Sequence, residues 1–118
     1  MEIMIVKLTD EKSFEDVLKE NKNVVVDFNA TWCGPCRMMG RLIEEIEDEF
    51  NDVTFLKVDT DDFMSLSQKF SIVSIPAFVA YKDGKRIPFS FGGRKEDMHV
   101  GGMDEDSFRM MLKETFSL

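Results

Sequence analysis

The chain contains two cysteines, Cys33 and Cys36, and two residues separate them. They follow a strongly apolar stretch, residues 24–28, and precede a segment with amphipathic helical spacing. Cys33 is therefore expected at the start of a helix, where unpaired backbone N–H groups and the helix dipole favour a negative charge. A thiol in that place ionises more readily than a free one and can act as a nucleophile near neutral pH. Cys36 follows one helical turn later, close enough to form a disulfide with Cys33.

The same spacing is half of a zinc site, which is the main alternative chemistry for a Cys-x-x-Cys pair. A tetrahedral structural zinc needs four ligands, and the chain adds only one histidine, His99, to the two cysteines. Carboxylates would have to complete the set, which is unusual for structural zinc. The composition therefore favours a redox role for the pair, and no metal site is expected.

The cysteines lie in the sequence Trp-Cys-Gly-Pro-Cys, directly after a predicted buried strand. In this setting the segment resembles the active-site signature of the thioredoxin family. The resemblance supports Cys33 as the attacking thiolate and Cys36 as the resolving thiol of a disulfide exchange. Gly34 and Pro35 constrain the turn between the sulfurs, and Pro35 is pre-set for a first helical turn. By resemblance Pro35 also indicates a reductant, and Trp32 is expected to contact the substrate.

Asp27 interrupts the apolar run of the predicted strand, where an unpaired carboxylate is costly. Burial would raise its pKa and make it a candidate proton acceptor for the Cys36 thiol, through water. The simpler alternative is that the strand ends there and turns Asp27 toward solvent. By resemblance, Asp27 matches an aspartate that thioredoxins carry at this place, and Lys57 matches the lysine that accompanies it in the adjacent strand.

Three further residues are assigned to the site through the resemblance. In the family, the proline that Pro76 matches is cis and lies against the active-site disulfide, and the residue before it, here Ile75, offers backbone hydrogen bonds to an extended substrate. From the sequence alone, Pro76 could equally be an ordinary trans turn residue. Gly92 matches the family glycine that leaves room beside the thiol for a partner, and Gly93 could share that role.

The rest of the pattern predicts the element order β-α-β-α-β-α-β-β-α. Strands are expected over residues 3–8, 24–29, 53–58, 77–82 and 85–91, and helices over 11–20, 34–50, 61 or 62 to 70, and 105–116. The second helix is expected to bury Met38, Met39, Leu42, Ile43, Ile46 and Phe50. This order predicts one α/β domain over residues 1–118, a mixed five-stranded sheet with helices on both faces, which is the layout of the thioredoxin fold.

Three features depart from the family pattern. Arg37 follows the second cysteine where lysine is common in the family, and it keeps the positive charge. Gly40 stands where thioredoxins usually have a proline that kinks the long helix. Residues 94–102 look like a nine-residue insertion before the last helix, and they start at the rim of the expected substrate groove. This segment is either a tolerated surface loop or a device that tunes partner choice. His99 within it is expected to be an exposed loop residue.

Charge and hydropathy restrict the partners. A formal net charge of −8 and a sequence pI near 4.6 disfavour nucleic acid and anionic membrane surfaces. No apolar run reaches the length of a membrane span, and the amino terminus does not resemble a secretion signal. The lack of cysteines beyond the pair fits a reducing compartment, so a cytoplasmic location is expected.

These observations predict a thiol–disulfide oxidoreductase that reduces protein disulfides through Cys33 and Cys36. The resemblance implies a monomer that acts on disulfide-containing proteins and is regenerated by thioredoxin reductase, an NADPH-dependent flavoprotein, although ferredoxin-linked reduction also occurs in the family. The chain has no glycine-rich nucleotide fingerprint, so NADPH would act only through the reductase. Two alternatives stay open: a disulfide oxidase or isomerase, against which Pro35 argues, and a non-catalytic binding subunit, against which the intact cysteine pair argues.

Overall fold

The structure is a computed structural model, and it describes residues 4–118. Its strands are β1 (Ile5–Lys7), β2 (Asn23–Asn29), β3 (Val53–Asp59), β4 (Ala77–Lys82), β5 (Lys85–Ile87), β6 (Phe89–Phe91), β7 (Arg94–Glu96) and β8 (His99–Val100). Its helices are α1 (Ser13–Glu20), α2 (Gly34–Ile46), α3 (Met64–Lys69) and α4 (Glu105–Phe116), and a 3-10 turn, Glu47–Glu49, follows α2. No helix within residues 4–118 is both long enough and apolar enough to cross a membrane.

The main sheet has the strand order β1-β3-β2-β4-β5, and β8 pairs with β4 on the same side as β5. Both neighbours of β3 run parallel to it, whereas β4 is antiparallel to β2, β5 and β8. The predicted α/β class and mixed sheet are confirmed, and β8 adds a short sixth strand. The first strand was expected over residues 3–8; the structure places it at Ile5–Lys7, and Ile3 lies outside the described residues.

Helices cover both faces of the sheet, which explains the uninterrupted valines of the central strand β2. Val25 packs in one core with α2 and α4, whereas Val24 and Val26 pack in the other with α1 and α3. All three valines are completely buried. Because side chains alternate along a strand, Asp27 points to the same layer as Val25, toward α2.

The prediction for α4 is confirmed, and the other helices differ from theirs in several details. Helix α1 begins at Ser13 rather than at residue 11, and α2 ends at Ile46 rather than at residue 50. Asp104 caps α4, with its carboxylate accepting a hydrogen bond from the Ser107 backbone N–H at 3.1 Å. Met38 was expected in the core but is 68% exposed, because the buried stripe of α2 runs through Met39 and leaves its neighbour on the outer face. Helix α3 starts at Met64 rather than at 61 or 62, since the Asp59 carboxylate holds the preceding backbone in a turn.

The predicted strand over residues 85–91 is broken in two at Pro88. Proline has no backbone N–H to donate to a neighbouring strand, and the chain leaves the main sheet at this residue. Strand β6 then pairs with β7 to form a separate two-stranded sheet. This hairpin lies along α4: Phe89 is buried in the core that α4 shares, and the Ser90 N–H donates to Thr115 Oγ1 at 3.0 Å.

Residues 94–102 do not form a loop but contain β7 and β8. Strand β8 brings the chain back to the main sheet, where Val100 pairs with Ala77 and His99 with Phe78. The prediction of an exposed loop histidine is therefore wrong. The His99 side chain is 14% exposed, its ring stacks on Phe78 with centroids 6.3 Å apart, and its Nδ1 lies 2.9 Å from Glu96 Oε2. That these residues are an insertion relative to the family stays a prediction.

The α4 contacts generate a stability test. Phe108 is completely buried against Phe55 and Phe78, so Phe108→Ala should lower the free energy of unfolding by about 3–5 kcal/mol. Met110, on the same helix, is 52% exposed, and Met110→Ala should change the free energy of unfolding by less than about 0.5 kcal/mol. Urea unfolding followed by circular dichroism measures both; equal losses in the two variants would contradict this description of the core.

Candidate active site

The cysteine pair lies where the central strand passes into a helix. β2 ends at Asn29, α2 begins at Gly34, and Cys33 is the N-cap residue of α2. The Cys36 backbone N–H donates to Cys33 Sγ at 3.2 Å, and Pro35 in the first turn has no N–H to leave unpaired. The two sulfurs form a disulfide, with the Cα atoms 5.2 Å apart. When the pair is reduced, this position favours negative charge on Cys33 Sγ.

Solvent exposure does not distinguish the two cysteines in this disulfide form. Cys33 is 6% exposed and Cys36 is 5% exposed, because Ala30 and Ile75 pack against them. The difference between them is instead electrostatic, since the N-cap hydrogen bond is made to Cys33 Sγ.

Two loops frame the disulfide. Trp32 is 68% exposed, and its Nε1–H donates to Asp61 Oδ2 at 2.9 Å, which fixes the indole beside Cys33. On the other side, the Ile75–Pro76 peptide bond is cis, and Ile75 O lies 3.9 Å from Cys33 Sγ. The structure thus brings Trp32, Ile75 and Pro76 to the cysteine pair.

The surface around this frame is apolar. Val73 is 98% exposed just before Ile75, and Val100 on β8 is 49% exposed. Pro35 and Met38 line a shallow pocket of about 280 Å³ between α2 and the start of α4. Exposed apolar side chains therefore stand on both loops and on β8, at the end of the sheet where the disulfide lies.

Gly92 does not lie at this site, so its sequence-based assignment is wrong. It sits in the turn between β6 and β7, and its N–H donates to Glu114 Oε2 at 2.8 Å. The first residue of α4, Glu105, lines the pocket beside Pro35 and Met38. Glu114 lies nine residues further along α4, about 14 Å from that end, so the turn that holds Gly92 is away from the disulfide. The glycine beside the cis proline is Gly101, whose N–H donates to Pro76 O at 2.8 Å and whose φ is +100°.

One signal in the sequence could have identified Gly101, because it stands three residues before Asp104, the cap of the last helix. Gly92, the glycine predicted at the site, lies in the turn of the β6–β7 hairpin, whereas Gly101 follows that hairpin. Gly34, by contrast, is where the sequence placed it, and a Cβ there would meet only Arg37 Nη2, at 3.9 Å.

Asp27 lies beneath α2 and is 1% exposed, which excludes the alternative that it turns to solvent. Its strand partner across the β2–β3 pair is Lys57, as predicted. Within residues 4–118 neither carboxylate oxygen has a hydrogen-bond partner. Burial raises the pKa of the Asp27 carboxyl from 3.8 to about 7, and the positive charge of Lys57 opposes that rise.

A cleft of about 530 Å³ opens beside α2 on the Cys36 side of the disulfide. We call it the Cys36 cleft; among the residues that line it are Cys36, Arg37, Gly40, Arg41, Glu44 and Lys57. A Cβ on Gly40 would lie 3.8 Å from Lys57 Nζ, so the Lys57 ammonium reaches under the helix at this glycine. In the part of the chain described, no three His, Cys, Asp or Glu side chains come together as a metal site would require.

The burial of Asp27 makes stability depend on pH. The folded protein holds the Asp27 proton up to about pH 7, whereas the unfolded chain loses it near 3.8, so the wild type loses stability as pH rises through this window. Asp27→Asn removes that loss. Between pH 4 and pH 8 the unfolding free energy of the wild type should fall relative to that of the variant by a few kcal/mol, at about 1.4 kcal/mol per pKa unit.

Urea unfolding of the oxidised proteins at pH 4, 6 and 8 measures this difference. Asp48→Asn, at an exposed position, is the matched control and should follow the wild type at every pH. A constant difference between wild type and Asp27→Asn across the three pH values would refute the raised pKa.

Comparison with known proteins gives the site a family. The thioredoxin family model matches residues 4–105. The chain is 41% identical to thioredoxin H2 of Arabidopsis thaliana over 85 residues, which is 72% of this chain and 64% of that protein. It is 35% identical to a thioredoxin of Mycoplasmoides gallisepticum over 106 residues, 90% of this chain and 97% of that protein.

Solved structures agree. The X-ray structure of Fasciola hepatica thioredoxin matches with a TM-score of 0.77 and 33% identity, over 93% of this chain and 98% of that chain. A mutant thioredoxin from Halobacterium salinarum matches the fold with a TM-score of 0.82, at 24% identity, over 100% of this chain and 97% of that chain. The chain belongs to the thioredoxin family, and Cys33 and Cys36 are the redox pair of a thiol–disulfide oxidoreductase.

Proposed function

We propose that this protein reduces disulfides in other proteins, with Cys33 as the nucleophile and Cys36 as the resolving thiol. The observation that carries the proposal is the hydrogen bond from the Cys36 N–H to Cys33 Sγ, made at the N-cap of α2. It favours the thiolate on one defined sulfur of the pair.

The first step forms a mixed disulfide. The Cys33 thiolate attacks one sulfur of the substrate disulfide, the substrate S–S bond breaks, and the second substrate sulfur leaves as a thiolate that takes up a proton. The helix N-terminus stabilises the attacking thiolate and therefore makes it available near neutral pH.

The second step closes the ring seen in the structure. The Cys36 thiol loses its proton, its thiolate attacks Cys33 Sγ, and the substrate sulfur bound there leaves as the second thiolate. Asp27 is the proton acceptor, through water, because its pKa of about 7 lets it accept and return a proton near neutral pH. Lys57 acts through Asp27 by holding that pKa within the useful range.

Substrate binding uses the frame around the disulfide. An extended segment of the partner pairs with the Ile75 backbone beside Pro76, a form of strand addition that reads main chain rather than side chains. Trp32 provides an exposed apolar surface next to Cys33. Gly34 and Pro35 constrain the turn between the two sulfurs. Gly101, rather than Gly92, leaves the partner room next to Pro76.

The electron donor, the monomeric state and the cellular location are proposed from the resemblance to the thioredoxin family. Thioredoxin reductase would return the Cys33–Cys36 disulfide to the dithiol with electrons from NADPH, and the protein itself would bind no cofactor. We further propose that the chain acts as a monomeric cytoplasmic domain on disulfide-containing proteins. An oxidase or isomerase role would reverse the direction of exchange, and a binding role would need neither cysteine.

Reduction of insulin with NADPH and a thioredoxin reductase tests the proposal. Wild-type protein should turn over, Cys33→Ser should fall to the uncatalysed rate, and Cys36→Ser should stop at a mixed disulfide that mass spectrometry detects. Met110→Ala, exposed and remote from the disulfide, is the control and should keep full activity. Undiminished turnover by Cys33→Ser would refute the proposed nucleophile, and oxidation of a reduced substrate without net reduction would favour the oxidase.

A further inference from the structure

The Cys36 cleft is an open cleft with the volume of a small-molecule site. Its volume of about 530 Å³ falls within the usual range for ligand pockets, roughly 300–1,000 Å³. Gly40 follows Cys36 by one helical turn, so the two lie on the same side of α2. A bulky side chain in place of Gly40 would extend toward Lys57 Nζ and narrow the cleft.

The charges that line the cleft are mostly positive, although the chain carries a net charge of −8. Arg37, Arg41 and Lys57 contribute three cations, and Glu44 contributes one carboxylate. Across residues 4–118, none of these three cations has a carboxylate partner within 4.0 Å. Arg37 Nη1 donates to Thr31 O at 3.0 Å, which fixes that guanidinium at the rim. The cleft therefore attracts a small anion.

The cleft reaches the disulfide from the Cys36 side. Cys36 lines it and Cys33 does not. Thiol–disulfide exchange depends on which sulfur is attacked and on the acidity of the sulfur that leaves. An attack on Cys36 Sγ would release Cys33 Sγ, the sulfur that accepts the N-cap hydrogen bond and is therefore the better leaving group.

We propose that the Cys36 cleft binds a small thiol bearing carboxylates and directs its sulfur to Cys36. The small thiolate attacks Cys36 Sγ, the Cys33–Cys36 bond breaks, and Cys33 leaves as a thiolate. A second small thiolate then attacks the small-molecule sulfur of this mixed disulfide and releases Cys36. Two small thiols are oxidised to one disulfide, the protein disulfide is reduced, and the two protons end on Cys33 and Cys36. The inference rests on the proposed function only in using the same redox pair.

Binding without reaction is tested first, with S-methylglutathione and oxidised protein. Amide chemical shifts should move at Thr31, Gly40, Arg41 and Lys57, and Arg41→Gln should raise the dissociation constant roughly two- to fivefold, the effect of one exposed ion pair. Arg94→Gln removes the same charge from exposed strand β7 and should leave the constant unchanged. Shifts confined to other surfaces, or equal effects of the two substitutions, would overturn the site.

Direction of attack is tested in Cys33→Ser, which leaves Cys36 as the only thiol. Mass spectrometry follows the formation of a mixed disulfide at Cys36 with two reagents, glutathione disulfide, which is anionic, and cystamine, which is cationic. Each rate is divided by the rate at which free cysteine reacts with the same reagent. Glutathione disulfide should react faster, and adding Arg41→Gln should reduce its lead over cystamine. Equal normalised rates, or a faster reaction of cystamine, would overturn the inference even if insulin reduction by the wild type succeeds. Circular dichroism verifies that the Cys33→Ser variants are folded. If they are not, the binding of S-methylglutathione to the oxidised protein decides whether the inference holds.

Discussion

One hydrogen bond organises the chemistry of this molecule: the Cys36 N–H donates to Cys33 Sγ at the first turn of α2. It exists because the buried strand β2 ends just where an amphipathic helix must begin, so the sulfur meets the unpaired N–H groups of that helix. The packing of α2 against the sheet through Met39, Ile43 and Ile46 holds the helix start in place. The packed core thus holds Cys33, which is only 6% exposed, at the helix N-terminus that favours negative charge on its sulfur.

The same packing accounts for the second charged group of the site. Asp27 occupies a position on β2 that alternation assigns to the α2 layer, so its carboxylate cannot reach solvent without disrupting the central strand. Its neighbour across the sheet, Lys57, extends beneath Gly40 and, in the structure of residues 4–118, forms no ion pair with Asp27 within 4.0 Å. Burial raises the pKa of the Asp27 carboxyl and the positive charge of Lys57 lowers it, and together they set that pKa at about 7.

The pattern of the sequence predicted the sheet, the cores and the cysteine turn because each depends on local periodicity. The capping of α4 by Asp104 and the burial of Asp27 could be inferred in this way. The role of Pro88 could not, because proline at an edge is compatible with a strand and only the tertiary structure shows that the chain leaves the sheet there. The misplacement of Gly92 and the exposure assigned to His99 both followed from that one break. The prediction for Met38 failed for a different reason: the buried stripe of α2 passes through Met39, Ile43 and Ile46, and Met38 lies outside it.

The break at Pro88 has a geometric consequence for the edge of the sheet. β5 ends with Ile87 opposite Ala80, and β8 begins with His99 opposite Phe78, so the chain departs from and returns to points two residues apart on one strand. The intervening hairpin therefore works as a side branch: it spans no distance along the sheet and transmits no shift in register. While Phe89 stays packed against α4, the exposed strand β7 can vary and the strand segment next to Pro76 keeps its place. This fold can therefore acquire new surface there while its reactive centre is undisturbed.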